Sequence, residues 1–205
     1  MGSALAKSLA KGNYRLLLKS NKAEALKDLV AEIKKETPAA DIEGMACPRE
    51  AGWEADVIIP AVPFEAQAEV AERIREVANQ KIVVSLANPL NETYTGMVTP
   101  GDTSAAEELQ KLLPHAKVIK AFNTTFAADF ASPVINGQQV DAFIAGNDKD
   151  ALETVSELVQ TAGFNPIISG DLTASRMLES MQLHLIQLSM KYNYNWLAGY
   201  KILHN

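Results

Sequence analysis

The sequence predicts an α/β fold: a doubly wound, mostly parallel sheet with helices on both faces. Three observations predict it. Asp56 to Pro63, Ile82 to Pro89 and Val118 to Thr124 are near-continuous apolar, β-branched runs, which suit strands buried on both faces of a parallel sheet. Each run stops abruptly at small residues, Asn or Pro. Strand-like runs alternate with amphipathic helical stretches along the chain, which implies right-handed crossovers and parallel pairing. Ligands of open α/β sheets bind beyond the carboxyl ends of the strands. Three such ends in succession would floor a long, flat ligand, and a dinucleotide has that shape.

The elements follow in order. Gly2 to Lys11 reads as a helix with Leu5 and Leu9 on one face, ended by Gly12-Asn13. Tyr14 to Leu18 is an apolar strand, and Lys19-Ser20-Asn21-Lys22 follows it. Ala23 to Glu36 is a helix: Leu26, Leu29, Val30 and Ile33 repeat at helical spacing, and Thr37-Pro38 stops it. Asp41 to Met45 is a short strand and Pro48 to Ala55 a short helix or turn. The first of the three long runs then ends at Ala61-Val62-Pro63. Phe64 to Ala78 is helical, with Pro63 near its first turn. The second run ends at Asn88-Pro89. Leu90 to Thr103 is a long polar loop, a length that is often functional or mobile. Ser104, with Glu107 three residues on, caps a helix to Leu113. Past Asn123 the pattern loosens to one helical turn at Ala127 to Ala131. A strand from Asp141 to Ala145, a helix from Lys149 to Ala162, a strand from Phe164 to Ser169 and a last helix from Thr173 to about Leu197 complete the chain.

The 205 residues suit a single domain, 1–205, with a long C-terminal helix. A hydrophobic share of 47% with 21% charged residues is ordinary for a globular chain. The formal net charge of -6 argues against nucleic acid or an anionic membrane as partner. Cys47 is the only cysteine, so no internal disulfide or thiolate cluster forms, and a reducing cytoplasm fits best. His115, His184 and His204 lack ligand-like spacing, so no metal site is expected. The start carries Lys7 and Lys11 without a long apolar core, which is unlike a secretory signal. No run approaches the roughly 18 apolar residues that span a bilayer. Ala6 breaks the myristoylation pattern. Asn91-Glu92-Thr93 and Asn123-Thr124-Thr125 match a glycosylation sequon by chance.

The alternation begins with a helix where a doubly wound sheet begins with a strand. The opening Gly2-Ser3-Ala4-Leu5-Ala6 reads like the helix that follows the third glycine of a G-x-G-x-x-G phosphate loop. A strand and two glycines encoded upstream of Met1 are therefore expected. The alternative is a genuine start with an unrelated helix.

Val118-Ile119-Lys120-Ala121-Phe122-Asn123-Thr124, Ala61-Val62-Pro63, Asn88-Pro89-Leu90 and Ala145-Gly146-Asn147-Asp148 carry a resemblance. So do Gly170-Asp171-Leu172 and Arg176-Met177-Leu178-Glu179. With these residues the chain resembles the dinucleotide-binding oxidoreductases related to coenzyme F420-dependent NADP reductase. It is similar as well to the cytoplasmic domain of the six-transmembrane epithelial antigen of prostate metalloreductases. The resemblance covers almost the whole chain and implies a Rossmann-like sheet, NADP(H) as cofactor, and coenzyme F420 or a flavin as hydride acceptor, with ferric iron further on. The chain departs from the family at two places. Only Gly2 remains of the glycine fingerprint, and the basic residue such proteins often carry after the Ser is here Asn21, with Lys22 next.

A site follows from these strand ends. Ser20, Asn21 and Lys22 offer a hydroxyl, an amide and a cation where an NAD-binding sheet would carry Asp or Glu, which suits a 2′-phosphate; an ordinary polar turn is the alternative. Ala61, Val62 and Pro63 are small or rigid enough for backbone to approach an adenosine or ribose, or they simply end the strand. Asn88, held extended before Pro89, is placed to orient a ribose, or serves a turn. Ala121, Phe122 and Asn123 belong to the same cofactor edge, with Asn123 beside the nicotinamide and Asn123 and Thr124 toward the acceptor. Asn123 could instead bond its own loop, and Phe122 is more often core than a stacking platform. Arg176 and Glu179, three apart on a helix, read as a surface pair. Tyr192, Tyr194, Trp196 and Tyr200 read as packing or a homodimer interface. No catalytic residue is assigned, because two cofactor rings carry a hydride between them and the protein aligns them. The rival functions are an NADP(H)-binding redox sensor without catalysis and an imine reductase of the pyrroline-5-carboxylate reductase type.

Overall fold

Neighbouring residues in the central strands face opposite helical layers. Val83 and Val118 pack with Ala71, Ile74, Leu109 and Leu113, while Val84 and Ile119 pack with Leu5, Leu9, Val155 and Val159. All four strand residues are within 2% of full burial. A strand alternates its side chains, so a run that is apolar at every position requires cover on both faces. Each such side chain contributes on the order of 1.5–3 kcal/mol on burial.

The computed structural model describes residues 1–204. The helices are α1 (Gly2–Leu9), α2 (Ala23–Glu36), α3 (Pro48–Glu54), α4 (Phe64–Ile74), α5 (Ala105–Leu112), α6 (Lys149–Thr161) and α7 (Ser175–Tyr192). The strands are β1 (Arg15–Leu18), β2 (Asp41–Gly44), β3 (Val57–Ile58), β4 (Ile82–Ser85), β5 (Lys117–Lys120), β6 (Val134–Ile135), β7 (Gln138–Gln139), β8 (Asp141–Gly146) and β9 (Asn165–Gly170). A five-stranded sheet has the order β3-β4-β5-β8-β9. β3, β4 and β5 are parallel, β8 runs antiparallel to β5, and β9 is parallel to β8. β1 and β2 form a separate parallel pair. Through Ala6 and Ala10, α1 packs with Ile33 of α2 and Ile42 of β2; through Leu5 and Leu9 it packs with the main sheet. No helix among the described residues is long and apolar enough to cross a membrane.

Local chemistry explains the element ends. Ser104 Oγ accepts from Glu107 N at 3.1 Å to start α5, and Asp148 Oδ1 accepts from Ala151 N at 2.9 Å to start α6. Gly146 pairs with Ile119 where β8 lies antiparallel to β5, and a Cβ there would meet Ile119 Cδ1, so a larger residue requires the Ile119 side chain to shift.

Several expectations are corrected. β3 is two residues long and half-buried, not a long strand buried on both faces. It borders the sheet, and Pro60 and Pro63 lack the N–H that would extend its ladder. α7 begins at Ser175 after a 3₁₀ turn at Leu172–Ala174 and ends at Tyr192, short of Leu197. Asn193 takes φ 55° and closes it with a left-handed cap, a conformation Asn tolerates. A two-stranded β6–β7 hairpin turns at Asn136-Gly137, where the sequence pattern predicts no strand. The Leu90 to Thr103 stretch is the expected loop, and it carries its own bonds. A bridge pairs Leu90 with Met97, Asn91 Oδ1 accepts from Thr95 N at 2.9 Å, and Gln187 on α7 donates to Tyr94 O at 3.0 Å.

Candidate functional site

The carboxyl ends of β3, β4 and β5 lie side by side, because the three strands are parallel neighbours. Ala61 to Pro63, Asn88-Pro89 and Ala121 to Thr124 therefore share one edge. α1 reaches that edge too. A Cβ on Gly2 would come 3.0 Å from Ala61 Cβ, so the helix N-terminus abuts the end of β3. The first hydrogen bond of α1 runs from Leu5 N to Met1 O at 3.0 Å, and no side chain caps the helix. The N–H groups before Leu5 have no intrahelical acceptor, which makes this end a place for an anion.

Asn88 and Asn123 bind each other where β4 and β5 end. Asn123 Nδ2 donates to Asn88 Oδ1 at 2.9 Å and to Leu178 O at 3.0 Å, while Asn88 Nδ2 donates to Asn123 O at 3.1 Å. A carbonyl such as Leu178 O needs a donor, which settles the orientation of the Asn123 amide. Asn123 is 1% exposed, and its Oδ1 has no hydrogen-bond partner. Two expectations change. Asn88 spends its amide on Asn123 rather than holding it out toward solvent. Asn123 is a buried bridge to Asn88 and Leu178 and does not bond its own loop. Thr124 is fully buried as well, with its hydroxyl unpartnered.

Phe122 has φ 58°, a left-handed backbone that a bulky residue rarely adopts. Its fully buried ring packs 5.8 Å from Phe130, and Thr125 Oγ1 donates to its carbonyl at 2.8 Å. These contacts hold the strain at the strand end. The ring belongs to the core, as the sequence suggests for Phe122, and does not serve as a stacking platform.

Arg176 and Glu179 do not pair with each other. Arg176 forks onto Glu107 at 2.9 and 2.5 Å, and the guanidinium holds the Glu107 carboxyl below its ordinary range. Glu179 is fully buried and binds Lys120 Nζ at 2.6 Å and Ala105 N at 3.0 Å. Lys120 also donates to Ala87 O. Burial lowers the Lys120 pKa, and the Glu179 carboxylate opposes that shift. Spacing on one helix could not reveal these partners, because they sit on other elements. The signal available in the sequence was a lysine closing a run otherwise suited to full burial.

At the end of β1, Asn21 and Lys22 are exposed and Ser20 is half-buried. Ser20 Oγ accepts from Lys22 N at 3.2 Å, and Lys19 Nζ donates to Ser20 O at 2.6 Å. Among the described residues neither Lys19 nor Lys22 forms a salt bridge, so this corner presents two cations, Lys19 beside the three residues expected to bind the phosphate.

The C-terminal segment packs beside the site on buried carboxylates. Asp129 Oδ2 accepts from Phe126 N at 2.7 Å while its Oδ1 has no partner, and burial raises its pKa to about 6. Burial also works against ionised Asp141, but bonds from Ile202 N, Lys201 and Asn165 outweigh it and leave its pKa lowered. Trp196 meets Phe126 edge-on at 5.5 Å, and Tyr200 meets Phe143 at 6.3 Å. Tyr192 stacks on Tyr194 at 5.8 Å, and both are exposed.

Comparison with curated proteins returns F420-dependent NADP reductases and a metalloreductase. The profile of the family "NADP oxidoreductase coenzyme F420-dependent" matches residues 1–89. The F420-dependent NADP reductase of Methanocaldococcus jannaschii is 34% identical over 202 residues, 93% of this chain and 88% of that protein. The Metalloreductase STEAP3 of Rattus norvegicus is 33% identical over 132 residues, which is 64% of this chain and only 26% of that protein. Among solved structures, a candidate F420-dependent NADP reductase from an Arthrobacter species superposes with a TM-score of 0.84 at 23% identity, covering 99% of this chain and 95% of that one. At that identity the superposition speaks for the fold.

Proposed function

Since the chain belongs to the F420-dependent NADP reductase family and is an NADP-dependent oxidoreductase, we propose that it passes hydride between NADP(H) and the deazaflavin of coenzyme F420. The observation that carries this reading is the shared strand edge. It runs from the α1 N-terminus beside Ala61 to the Asn88–Asn123 pair, where Asn123 Oδ1 is a buried acceptor without a donor. A dinucleotide fits that layout. Gly2 and the α1 N–H groups would hold the diphosphate, and Ser20, Asn21 and Lys22, joined by Lys19, the 2′-phosphate. Ala61, Val62 and Pro63 would flank the adenosine side, and Pro89 would stiffen the approach to Asn88. Asn123 Oδ1 would accept from the carboxamide of the nicotinamide, with the backbone of Ala121 and Phe122 beneath it. Thr124, whose hydroxyl is buried and unpartnered as Asn123 Oδ1 is, would lie beside it toward the acceptor.

Bound together, the two cofactors supply a two-electron hydride transfer that needs no protein nucleophile. The protein binds, aligns and excludes water, so its contribution is proximity and orientation. F420 is favoured over an iron-directed flavin route because the match to the Methanocaldococcus reductase covers 88% of that protein, against 26% of the metalloreductase. The exposed apolar residues Met190, Tyr192, Tyr194 and Trp196 support a homodimer as part of this reading.

Stopped-flow mixing of NADPH with the protein, with F420 or free flavin as acceptor, tests the proposal. Rapid oxidation with F420 is the expected result. Turnover with flavin alone would move the acceptor assignment. NADPH binding without oxidation by either acceptor would favour the redox-sensor reading, and oxidation only by a cyclic imine would favour an imine reductase.

A further inference from the structure

We propose that the buried Lys120–Glu179 ion pair is a positioning device that sets the Asn88–Asn123 edge for hydride transfer; this rests on the placement of the nicotinamide argued above. The pair closes a circuit. Lys120 Nζ donates to Ala87 O, and Ala87 is bonded directly to Asn88. Asn88 and Asn123 exchange hydrogen bonds, and Asn123 donates to Leu178 O at 3.0 Å. Leu178 is bonded to Glu179, whose Oε1 lies 2.6 Å from Lys120 Nζ. The circuit thus joins the ends of β4 and β5 to one turn of α7. Glu179 Oε2 extends it to α5 by accepting from Ala105 N at 3.0 Å.

Stability alone is a poor reason for such a pair. Lys120 and Glu179 are both fully buried, and desolvating two charges offsets most of their attraction, so well-packed apolar residues often serve the core as well or better. Apolar residues could not hold the Ala87 carbonyl, the Leu178 turn and the start of α5 in one register. Hydrogen bonds of fixed direction can, and a displacement of about 1 Å in a reacting ring slows transfer on the order of a hundredfold. Neither side chain reaches the edge itself, so both are positioning residues.

The test compares Lys120→Met/Glu179→Leu, which leaves no unpaired buried charge, with Glu179→Gln, which keeps the shape and a hydrogen-bonding group. Thermal melting reports folding, titration with NADP+ reports affinity, and a single turnover from NADPH to F420 reports transfer. The double variant is expected to bind NADP+ within about threefold of the parent and to transfer hydride more slowly by about tenfold or more, with Glu179→Gln in between. If the double variant fails to fold, Glu179→Gln alone decides: slowed transfer at retained affinity supports the proposal. Transfer at the parental rate overturns it, and so does a parallel loss of affinity and rate, which marks a merely structural clamp. Asn123→Ala is run beside them. If it slows transfer while the pair variants do not, only the positioning role falls. If Asn123→Ala is also unaffected, the placement of the nicotinamide falls and the positioning role with it.

Discussion

Asn123 and Asn88 form a reciprocal bridge between β5 and β4: Asn123 Nδ2 donates to Asn88 Oδ1 at 2.9 Å, and Asn88 Nδ2 returns a bond to Asn123 O at 3.1 Å. The bridge fixes the two strand ends against each other at the edge where the proposed dinucleotide lies.

Asn123→Ala removes a buried amide and leaves Asn88 Oδ1 and Leu178 O without their donor. The expected loss of stability is about 2–3 kcal/mol, larger than for an exposed loop residue. Single-turnover hydride transfer should fall by about a hundredfold, while NADP+ affinity changes little because other contacts hold the adenosine end. Chemical denaturation and stopped-flow absorbance measure the two effects.

Lys22→Glu should weaken NADP+ more than NAD+. One charge-assisted contact contributes roughly 1.5–3 kcal/mol, so the preference between the cofactors should shift by about tenfold or more. Lys19→Glu should act in the same direction. Calorimetric titration of both cofactors decides this; an unchanged ratio would remove the 2′-phosphate from the β1 corner.

Gly146→Ala should destabilise the protein by about 1–3 kcal/mol, because a Cβ would meet Ile119 Cδ1 in a fully buried contact. Ile119→Val removes that methyl. The double variant should therefore recover part of the loss, which a double-mutant cycle of urea melts measures.

Asp129 makes stability fall as pH rises. The folded protein keeps this proton up to about pH 6, whereas the unfolded chain releases it near the ordinary value of 3.8. Below about pH 4 both states hold the proton and burial carries no ionic penalty. Between about pH 4 and 6 the unfolded state alone ionises, and the unfolding free energy should drop by up to about 2–3 kcal/mol from this group. Asp129→Asn should flatten that segment of the stability profile, as followed by denaturant midpoints at stepped pH.

The sequence by itself determined the layers. Residues apolar at every position, as in Ile82-Val83-Val84, require cover on both faces, and the helical repeats of Leu26, Leu29, Val30 and Ile33 supply an amphipathic partner. Those patterns are local, so they are legible without the fold, and so is the grouping of strand ends at 61–63, 88–89 and 121–124. What a side chain meets across the molecule is set by packing. Lys120 and Glu179 are 59 positions apart and Asn88 and Asn123 are 35 apart; no spacing rule joins them. Arg176 and Glu179 have the spacing of a helical surface pair, yet neighbouring elements draw them apart, Arg176 to Glu107 and Glu179 to Lys120. The antiparallel entry of β8 was likewise decided by the tertiary arrangement, whereas Pro60 and Pro63 shorten β3 and the Asn193 cap ends α7 locally. For the buried pairs, the cost of leaving a buried polar group unpaired outweighs the local preference of the chain.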